Sequence, residues 1–164
     1  MSKNRLTKRE LADAIGDQFR INQNRSGLFD EIANEHLGIN QTDNRCLDVL
    51  TRLGPITAGE LAREAGLTTG GVTAVVDRLE RAGFARRVRD DEDRRRVVIE
   101  VEPEFFERAM IFWGPMKEAC DAHAARLTRE QLEFLLQFMI DSNELGAEQI
   151  ERIRALPKPK PKKN

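Results

Sequence analysis

A small residue, a glycine and two branched apolar residues stand at a spacing typical of two helices joined by a tight turn. Ala62 is followed by Gly66, and Val72 and Val75 come after that glycine. A small side chain lets two helices approach closely, glycine permits the turn, and the valines hold the second helix against the first. The spacing therefore predicts a helix-turn-helix.

The second helix of this motif has a face of short or polar side chains. They are Thr69, Gly70, Thr73, Asp77 and Arg78. Such a helix fits the major groove of DNA, where hydroxyl groups reach bases or phosphates and an arginine reaches the backbone. The motif alone leaves open a second interpretation, a helical hairpin whose small residues only serve close packing.

Two β-branched and aromatic segments, 84–88 and 97–101, follow this helix and predict a β-hairpin. Arginines flank the acidic tip of the hairpin on both sides: Arg86, Arg87, Arg89, Arg94, Arg95 and Arg96. A basic hairpin beside a recognition helix is typical of a wing that reaches the minor groove or nearby phosphates. The alternative is a solvated turn in which the acidic residues 90–93 neutralise the arginines.

Together, residues 42–101 resemble the winged helix-turn-helix core of the multiple-antibiotic-resistance regulator (MarR) family. The resemblance is carried by TAGELAREAGLTTGGVTAVVDRLERAGFARR and by the Asp-x-Arg of the wing tip, Asp93-Arg94-Arg95. The predicted flanking helices also match the family in number and order. The resemblance implies a mainly α fold with a small β-hairpin wing (α+β), in which N- and C-terminal dimerisation helices flank the winged-helix core.

The resemblance also implies a function in transcription. It implies a homodimer that binds double-stranded DNA at a pseudo-palindromic operator, and repression that a small-molecule effector or an oxidant relieves. The alternative function is a winged-helix protein-interaction module without specific DNA binding. The best argument for that alternative is that residues 57–101 carry equal numbers of basic and acidic side chains.

The predicted DNA-binding residues come from the motif and from the resemblance together. They are Thr68, Thr69, Gly70, Thr73, Arg78, Arg86, Asp93, Arg94 and Arg95. By the resemblance, the threonines are recognition-helix contacts, Arg78 contacts a base or a phosphate, and Asp93 orients Arg95 for the minor groove. Ala74 departs from the family, because some relatives have a base-reading arginine there. Direct readout of bases should therefore be sparse, and groove shape should contribute more.

Capping patterns and apolar periodicity predict helices before the core. A helix is predicted over 6–25, starting at the capping pattern Thr7-Lys8-Arg9-Glu10, and a second from Ser26 to Gly38. Thr42 is predicted to cap a third helix, which Gly54-Pro55 ends. The capping pattern recurs at Thr57-Ala58-Gly59-Glu60 and Thr128-Arg129-Glu130-Gln131, which predict two later helix starts.

Two further helices are predicted after the core, over 103–126 and 128–156. Gly114-Pro115 should kink or break the first of them. Residues 1–156 then form a single predicted domain, and the proline- and lysine-rich segment 157–164 is predicted to be a disordered basic tail.

A dimer is expected on physical grounds as well. One helix with few base-reading side chains binds DNA weakly. Two linked helices about 34 Å apart can enter successive major grooves on the same face of the duplex and so bind more tightly. The helices predicted over 6–25, 103–126 and 128–156 carry more apolar positions than one face needs, so we expect them to form the dimer surface. Alternatively, these side chains are buried only within their own subunit.

Aromatic, histidine and cysteine side chains offer candidate effector and redox sites. Five residues could line an effector pocket between the core and the dimer helices, although an aromatic stripe at helical spacing is more often core: Phe29, His36, Phe106, Met110 and Trp113. Cys46 could sense oxidants, but it occupies an apolar position of its helix. Cys120 and His123 share a helix face. The cysteines and histidines are few and scattered along the chain, so we expect neither a metal nor another cofactor.

Composition limits the remaining classes of protein. The 164 residues are 40% hydrophobic and 34% charged, with a net charge of −1, which indicates a folded globular chain. No segment has the roughly 18 uninterrupted apolar residues of a membrane span, and the polar start lacks a secretory signal, so we expect a cytoplasmic protein without a membrane partner. No nucleophile–base set, phosphate loop or carboxylate pair stands out, so we do not expect an enzyme.

Overall fold

The computed structural model describes residues 5–90, 93 and 95–157. The elements in this part of the chain follow in the order α1 (Lys8–Leu37), α2 (Gln41–Leu53), β1 (Ile56–Thr57), α3 (Ala58–Ala65), α4 (Thr69–Ala82), β2 (Ala85–Arg89), β3 (Val97–Val101), α5 (Pro103–Ala124) and α6 (Arg129–Arg154). The fold is mainly α with a small antiparallel sheet, as predicted.

Contacts divide the chain into two compact units, Met1–Gly114 and Pro115–Asn164, and the boundary lies inside α5. The first unit contains α1 to α4, the sheet and the first half of α5. The second contains the rest of α5 and all of α6. Among the described residues, no helix combines the length and the apolar character needed to cross a membrane.

Threonine capping boxes start three of the helices where the sequence predicts them. Thr7, Thr57 and Thr128 each accept a hydrogen bond from the backbone three residues on, and the side chain at that position bonds back to the threonine N–H. These caps satisfy backbone donors that the first helical turn leaves free. The three predicted helix starts are confirmed.

Helix α1 is one continuous helix of 30 residues, so the prediction of a separate helix from Ser26 is wrong. Serine and glycine inside a helix together cost only about 1–1.5 kcal/mol relative to alanine. The hydrogen bonds of the turns on either side outweigh that cost, and the helix continues to Leu37. It ends at Gly38, whose φ of 71° suits glycine.

The cap of α2 also differs from the prediction. Asn40, rather than Thr42, is the N-cap, and its Oδ1 accepts hydrogen bonds from the N–H groups of Thr42 at 2.9 Å and Asp43 at 3.0 Å. The Asp43 carboxylate accepts a bond from the Asn40 N–H at 3.2 Å in return. Asparagine caps helices as well as serine or threonine does, so the reciprocal pair with Asp43 decides the position.

The sheet has the strand order β1-β3-β2, with both pairs antiparallel. The predicted hairpin is confirmed, with Arg86 opposite Glu100 and Arg89 opposite Val97. Strand β1 was not expected, because two residues are too short to show an alternating pattern. Its residue Ile56 pairs with Ile99, a partner far away in sequence.

The core of the first unit lies among α2, α3, α4 and the hairpin. Val72 is 0% exposed and Val75 is 2% exposed, which confirms the packing predicted from their spacing. They share a cluster with other fully buried side chains: Leu47, Leu50, Leu61, Val76, Leu79, Phe84 and Ile99. This core orients α4 with its opposite face towards solvent.

Helix α5 continues through Gly114-Pro115, so the break considered for this position does not occur. Pro115 lacks the N–H that would bond to the carbonyl four residues earlier, but the rest of the helical bonds remain to hold the turn. In the second unit, α6 contains no buried residue among those described.

Candidate nucleic-acid interface

The turn between α3 and α4 has the geometry that the helix-turn-helix prediction requires. Gly66 ends α3 with φ 66° and ψ 35°, a left-handed conformation that favours glycine. Thr68 then caps α4, and its Oγ1 accepts a hydrogen bond from the Gly71 N–H at 3.1 Å. Because Ala62 is buried at the contact between α3 and α4, the two helices pack closely.

The outer face of α4 is exposed and nearly uncharged. Thr69, Gly70, Thr73 and Ala74 all face solvent. No atom lies within 4 Å of the position that a Cβ would take at Gly70, so a ligand surface can approach the backbone there. The Thr73 hydroxyl donates to the Thr69 carbonyl at 3.2 Å and keeps its lone pairs for a donor on a base. The Thr68 hydroxyl keeps its proton for a phosphate.

Arg78 is held by an acidic residue of α2 that the sequence analysis did not single out. Its Nη2 lies 2.6 Å from Oδ1 of Asp43, and its Nε lies 3.1 Å from the same oxygen. The Asp43 side chain is 4% exposed and that of Arg78 is 39% exposed. Hydrogen bonding to Asp43 raises the pKa of Arg78. The pair ties α4 to α2, and the contact of Arg78 with DNA stays a prediction.

A sequence signal for Asp43 does exist. It stands at the same helical stripe as Cys46, Leu47 and Leu50, where every other side chain is apolar and buried. An acid on an apolar stripe is stable there only with a charged or hydrogen-bonding partner, because a lone buried charge is costly.

Most described arginines of the wing are neutralised by carboxylates. Arg86 lies 2.5 Å from Glu100 and 3.2 Å from Glu102, across the strand pair. Arg87 reaches back to α4, where it lies 2.8 Å from Asp77 and also pairs with Glu80. These pairs fasten β2 to its two neighbouring elements.

Arg96, directly before β3, fastens the wing to α3. Its Nη2 lies 2.8 Å from Glu60 Oε2, the carboxylate that also accepts bonds from the Thr57 N–H at 2.8 Å and the Thr57 hydroxyl at 2.7 Å. Hydrogen bonds from the Thr57 backbone and hydroxyl, followed by that from Arg96, lower the pKa of Glu60 to about 2. Glu60 therefore has two roles: it completes the capping box of α3, which the local pattern predicts, and it anchors the wing, which depends on the distant Arg96.

Arg95 is exposed, and in the part of the chain that the structure describes its guanidinium has no carboxylate partner. Asp93 lies beside it, but the Asp93 carboxylate accepts the backbone N–H of Arg95 at 3.0 Å rather than its side chain. Asp93 therefore shapes the turn that presents Arg95. Predicted contact Arg94 and tail residues 158–164 lie outside the described residues.

A cavity of about 570 Å³ opens between α1, α2 and α5 in the first unit. Three of the predicted effector residues, Phe106, Met110 and Trp113, line it, opposite polar residues of α2. Phe29 instead packs edge-on against Trp113 at 5.9 Å, and His36 stacks on Phe112 at 5.5 Å. These two rings support the cavity wall or the adjacent core and do not line the space.

Neither the proposed redox residue nor a metal cluster finds support in the geometry. Cys46 is 0% exposed. Burial, and to a smaller extent the negative charge of Asp43, raise the pKa of its thiol to about 11. At neutral pH this thiol is protonated and shielded from oxidants. Among the residues that the structure describes, no three His, Cys, Asp or Glu side chains are grouped so that they could hold a metal ion.

Comparison with known proteins agrees with this architecture. The sequence profile of the MarR family matches residues 39–97. The chain is 37% identical over 150 residues to the HTH-type transcriptional regulator YcgE of Bacillus subtilis strain 168, an alignment that covers 92% of this chain and 97% of YcgE.

Solved structures share the fold at lower identity. The chain is similar to the Q18P mutant of MepR from a multidrug-resistant S. aureus clinical isolate, with a TM-score of 0.62 at 20% identity, covering 78% of this chain and 96% of that one. It is also similar to the S. aureus MepR–DNA complex, with a TM-score of 0.52 at 20% identity, covering 76% of this chain and 97% of that one. With the family profile and a full-length relative in agreement, the chain belongs to the MarR family of transcriptional regulators, which are winged-helix proteins and not enzymes.

Proposed function

We propose that this regulator is a homodimeric repressor that binds a pseudo-palindromic operator in double-stranded DNA and is released by a small molecule. The observation that carries the DNA-binding part is the exposed, nearly uncharged face of α4 beside a wing whose Arg95 is exposed and has no ion-pair partner among the described residues. Hydroxyl groups and an open glycine suit the major groove, and an arginine on a hairpin suits the minor groove or a phosphate. The DNA complex of MepR, which shares this fold, supports the same mode of binding.

The second unit supports the dimer. Many large apolar side chains of α6 are exposed by more than a third: Leu132, Phe134, Leu135, Leu136, Phe138, Met139, Ile140, Leu145, Ile150 and Ile153. Exposed apolar surface of this extent is unfavourable in water and marks an interaction site. A second copy of the chain covers it in our proposal, with residues 1–156 acting as one functional domain and α1, α5 and α6 as dimerisation helices.

The cavity of the first unit supports control by a small molecule. Phe106, Met110 and Trp113 offer apolar and aromatic surface, while Asp30, Asn44 and Arg45 among others offer polar groups. A mixture of this kind is typical of sites for small organic ligands. An oxidant acting through Cys46 is not favoured, because that thiol is buried. A protein that binds the chromosome in this way acts in the cytoplasm.

Two measurements test the proposal. Light scattering should give twice the 18.7 kDa mass of the chain, and Leu136→Glu should shift the protein towards monomer while Asn143→Glu, at an exposed polar position of the same helix, should not. Titration of a promoter duplex at two salt concentrations should show a sequence-preferring complex that weakens steeply with salt. A dimer without any sequence-preferring complex would instead favour the winged-helix protein-interaction module.

A further inference from the structure

We propose that Arg89 is a second DNA contact of the wing, acting on a backbone phosphate beside the recognition helix. This inference rests on the DNA-binding function proposed above. Arg86 was predicted to contact DNA from this strand, but Arg86 and Arg89 have different surroundings, which favour Arg89 for this role.

The described arginines of the wing fall into two groups: those held by carboxylates and those without a carboxylate partner. Arg86, Arg87 and Arg96 are each held by two carboxylates. Arg89 is exposed and, within the described chain, its guanidinium has neither a carboxylate nor a hydrogen-bond partner. An arginine without an internal partner can bind a phosphate without first breaking an ion pair.

The register of the sheet places Arg89 on the side of the recognition helix. Successive side chains of a strand point to opposite faces, so Ala85, Arg87 and Arg89 share one face of β2. Ala85 is buried in the core, and Arg87 contacts Asp77 on α4. Arg89 is therefore the next side chain out on the face that packs against α4, opposite the exposed Val97.

The recognition helix needs a cation from a neighbouring element. Residues 69–77 of α4 contain no basic residue and end in Asp77. Arg78 is held by Asp43, and Arg81 folds back to bond the Asp77 carbonyl at 3.1 Å. Phosphates line both edges of the groove that a recognition helix fills. At the edge nearest the wing, the side chain that can contact a phosphate must therefore lie on the side of the wing that faces α4. Arg89 is in that position, whereas Arg95 lies at the tip.

The test measures binding of the full-length protein to an operator duplex and to a random duplex by fluorescence anisotropy across a salt series. Arg89→Ala should weaken binding to both duplexes by about tenfold or more, and should make the slope of log affinity against log salt shallower by about two, one contact per subunit. Arg89→Lys should retain most of the slope, because a phosphate accepts either cation. Arg86→Ala is the matched control: it removes the same charge from the same strand and should leave the slope near that of the wild type.

The outcomes separate this inference from the function on which it rests. A wild-type protein that binds operator while Arg89→Ala keeps the wild-type slope would overturn the role of Arg89 alone. Equal losses for Arg89→Ala and Arg86→Ala would also overturn it, since net charge would then explain both. Loss on the operator only, with no recovery by Arg89→Lys, would replace the phosphate contact by a base contact. A wild-type protein without salt-dependent binding would overturn the proposed function and this inference with it.

Discussion

Arg78 of the recognition helix holds the buried carboxylate of Asp43 on α2 through two of its nitrogens, at 2.6 Å and 3.1 Å. The pair spans 35 positions of sequence and joins two helices that also share an apolar core. It therefore sets the orientation in which α4 is presented.

Removing this arginine should destabilise the protein. Arg78→Ala leaves the Asp43 carboxylate buried without its cation, and we expect a loss of about 2 kcal/mol, less than for a fully buried pair because Arg78 is partly exposed. Urea unfolding followed by circular dichroism measures the loss. Arg81→Ala, on the same helix but exposed, is the control and should change stability by less than about 0.5 kcal/mol. Equal effects of the two variants would show that the pair contributes nothing to the fold.

The wing tip yields a prediction about binding. Arg95→Ala should weaken operator binding by about 1–3 kcal/mol, because it removes an exposed cation that the Asp93 turn presents. The unfolding midpoint should stay at the wild-type value, since the side chain makes no ion pair among the described residues. Anisotropy titration and thermal melting, run on the same samples, distinguish the two effects. Wild-type affinity in the folded variant would remove Arg95 from the interface.

The lowered pKa of Glu60 should make the stability of the folded protein depend on pH. Hydrogen bonds from Thr57 and Arg96 lower its pKa in the folded protein from 4.5 to about 2. A carboxyl group with a lowered pKa stabilises the fold above its unfolded pKa, and this contribution disappears as the pH falls towards the folded pKa. The difference in Tm between wild type and Glu60→Gln should therefore be largest near pH 6 and shrink between about pH 4.5 and 2. Glutamine preserves the capping hydrogen bond, so a difference that does not change with pH would exclude the charge as its cause.

Gly70 offers a test that separates stability from binding. Its backbone is helical and a Cβ would meet no atom within 4 Å, so Gly70→Ala should stabilise α4 by about 0.5–1 kcal/mol. The added methyl group would stand on the face proposed to enter the major groove, and we expect weaker operator binding. Gly27→Ala, at an equally open helical site on α1, should stabilise without affecting binding. Unchanged affinity in Gly70→Ala would place that residue outside the interface.

The two cysteines should react very differently with a thiol reagent. Cys120 is exposed, whereas Cys46 is buried and has a pKa of about 11. At pH 8 we expect one thiol per chain to react quickly in the native protein and the second only after unfolding. Cys120→Ser should abolish the fast reaction. A fast reaction that persists in this variant would reopen an oxidant-sensing role for Cys46.

Elements set by neighbouring residues were predictable from the sequence. The capping boxes at Thr7, Thr57 and Thr128 act over three residues, and the confirmed burial of Val72 and Val75 follows from helical spacing. Two helix boundaries were predicted wrongly, because at each of them a second local interaction outweighed the one used for the prediction. The Ser26-Gly27 pair interrupts a weak helix but not one of 30 residues, and Asn40 competes with Thr42 as a cap.

The sequence by itself determined the family, the helix-turn-helix and the hairpin, because short-range hydrogen bonds and apolar periodicity encode them within a few residues. Only the tertiary structure decided how the charges pair. Arg96 pairs with Glu60 and Arg78 with Asp43 across 36 and 35 positions of sequence. Arg86 is also bound, whereas Arg89 and Arg95 have no carboxylate partner in the part of the chain that the structure describes. Every wing arginine has the same chemistry, so only the distance to a folded carboxylate distinguishes one that stabilises the protein from one that can bind DNA.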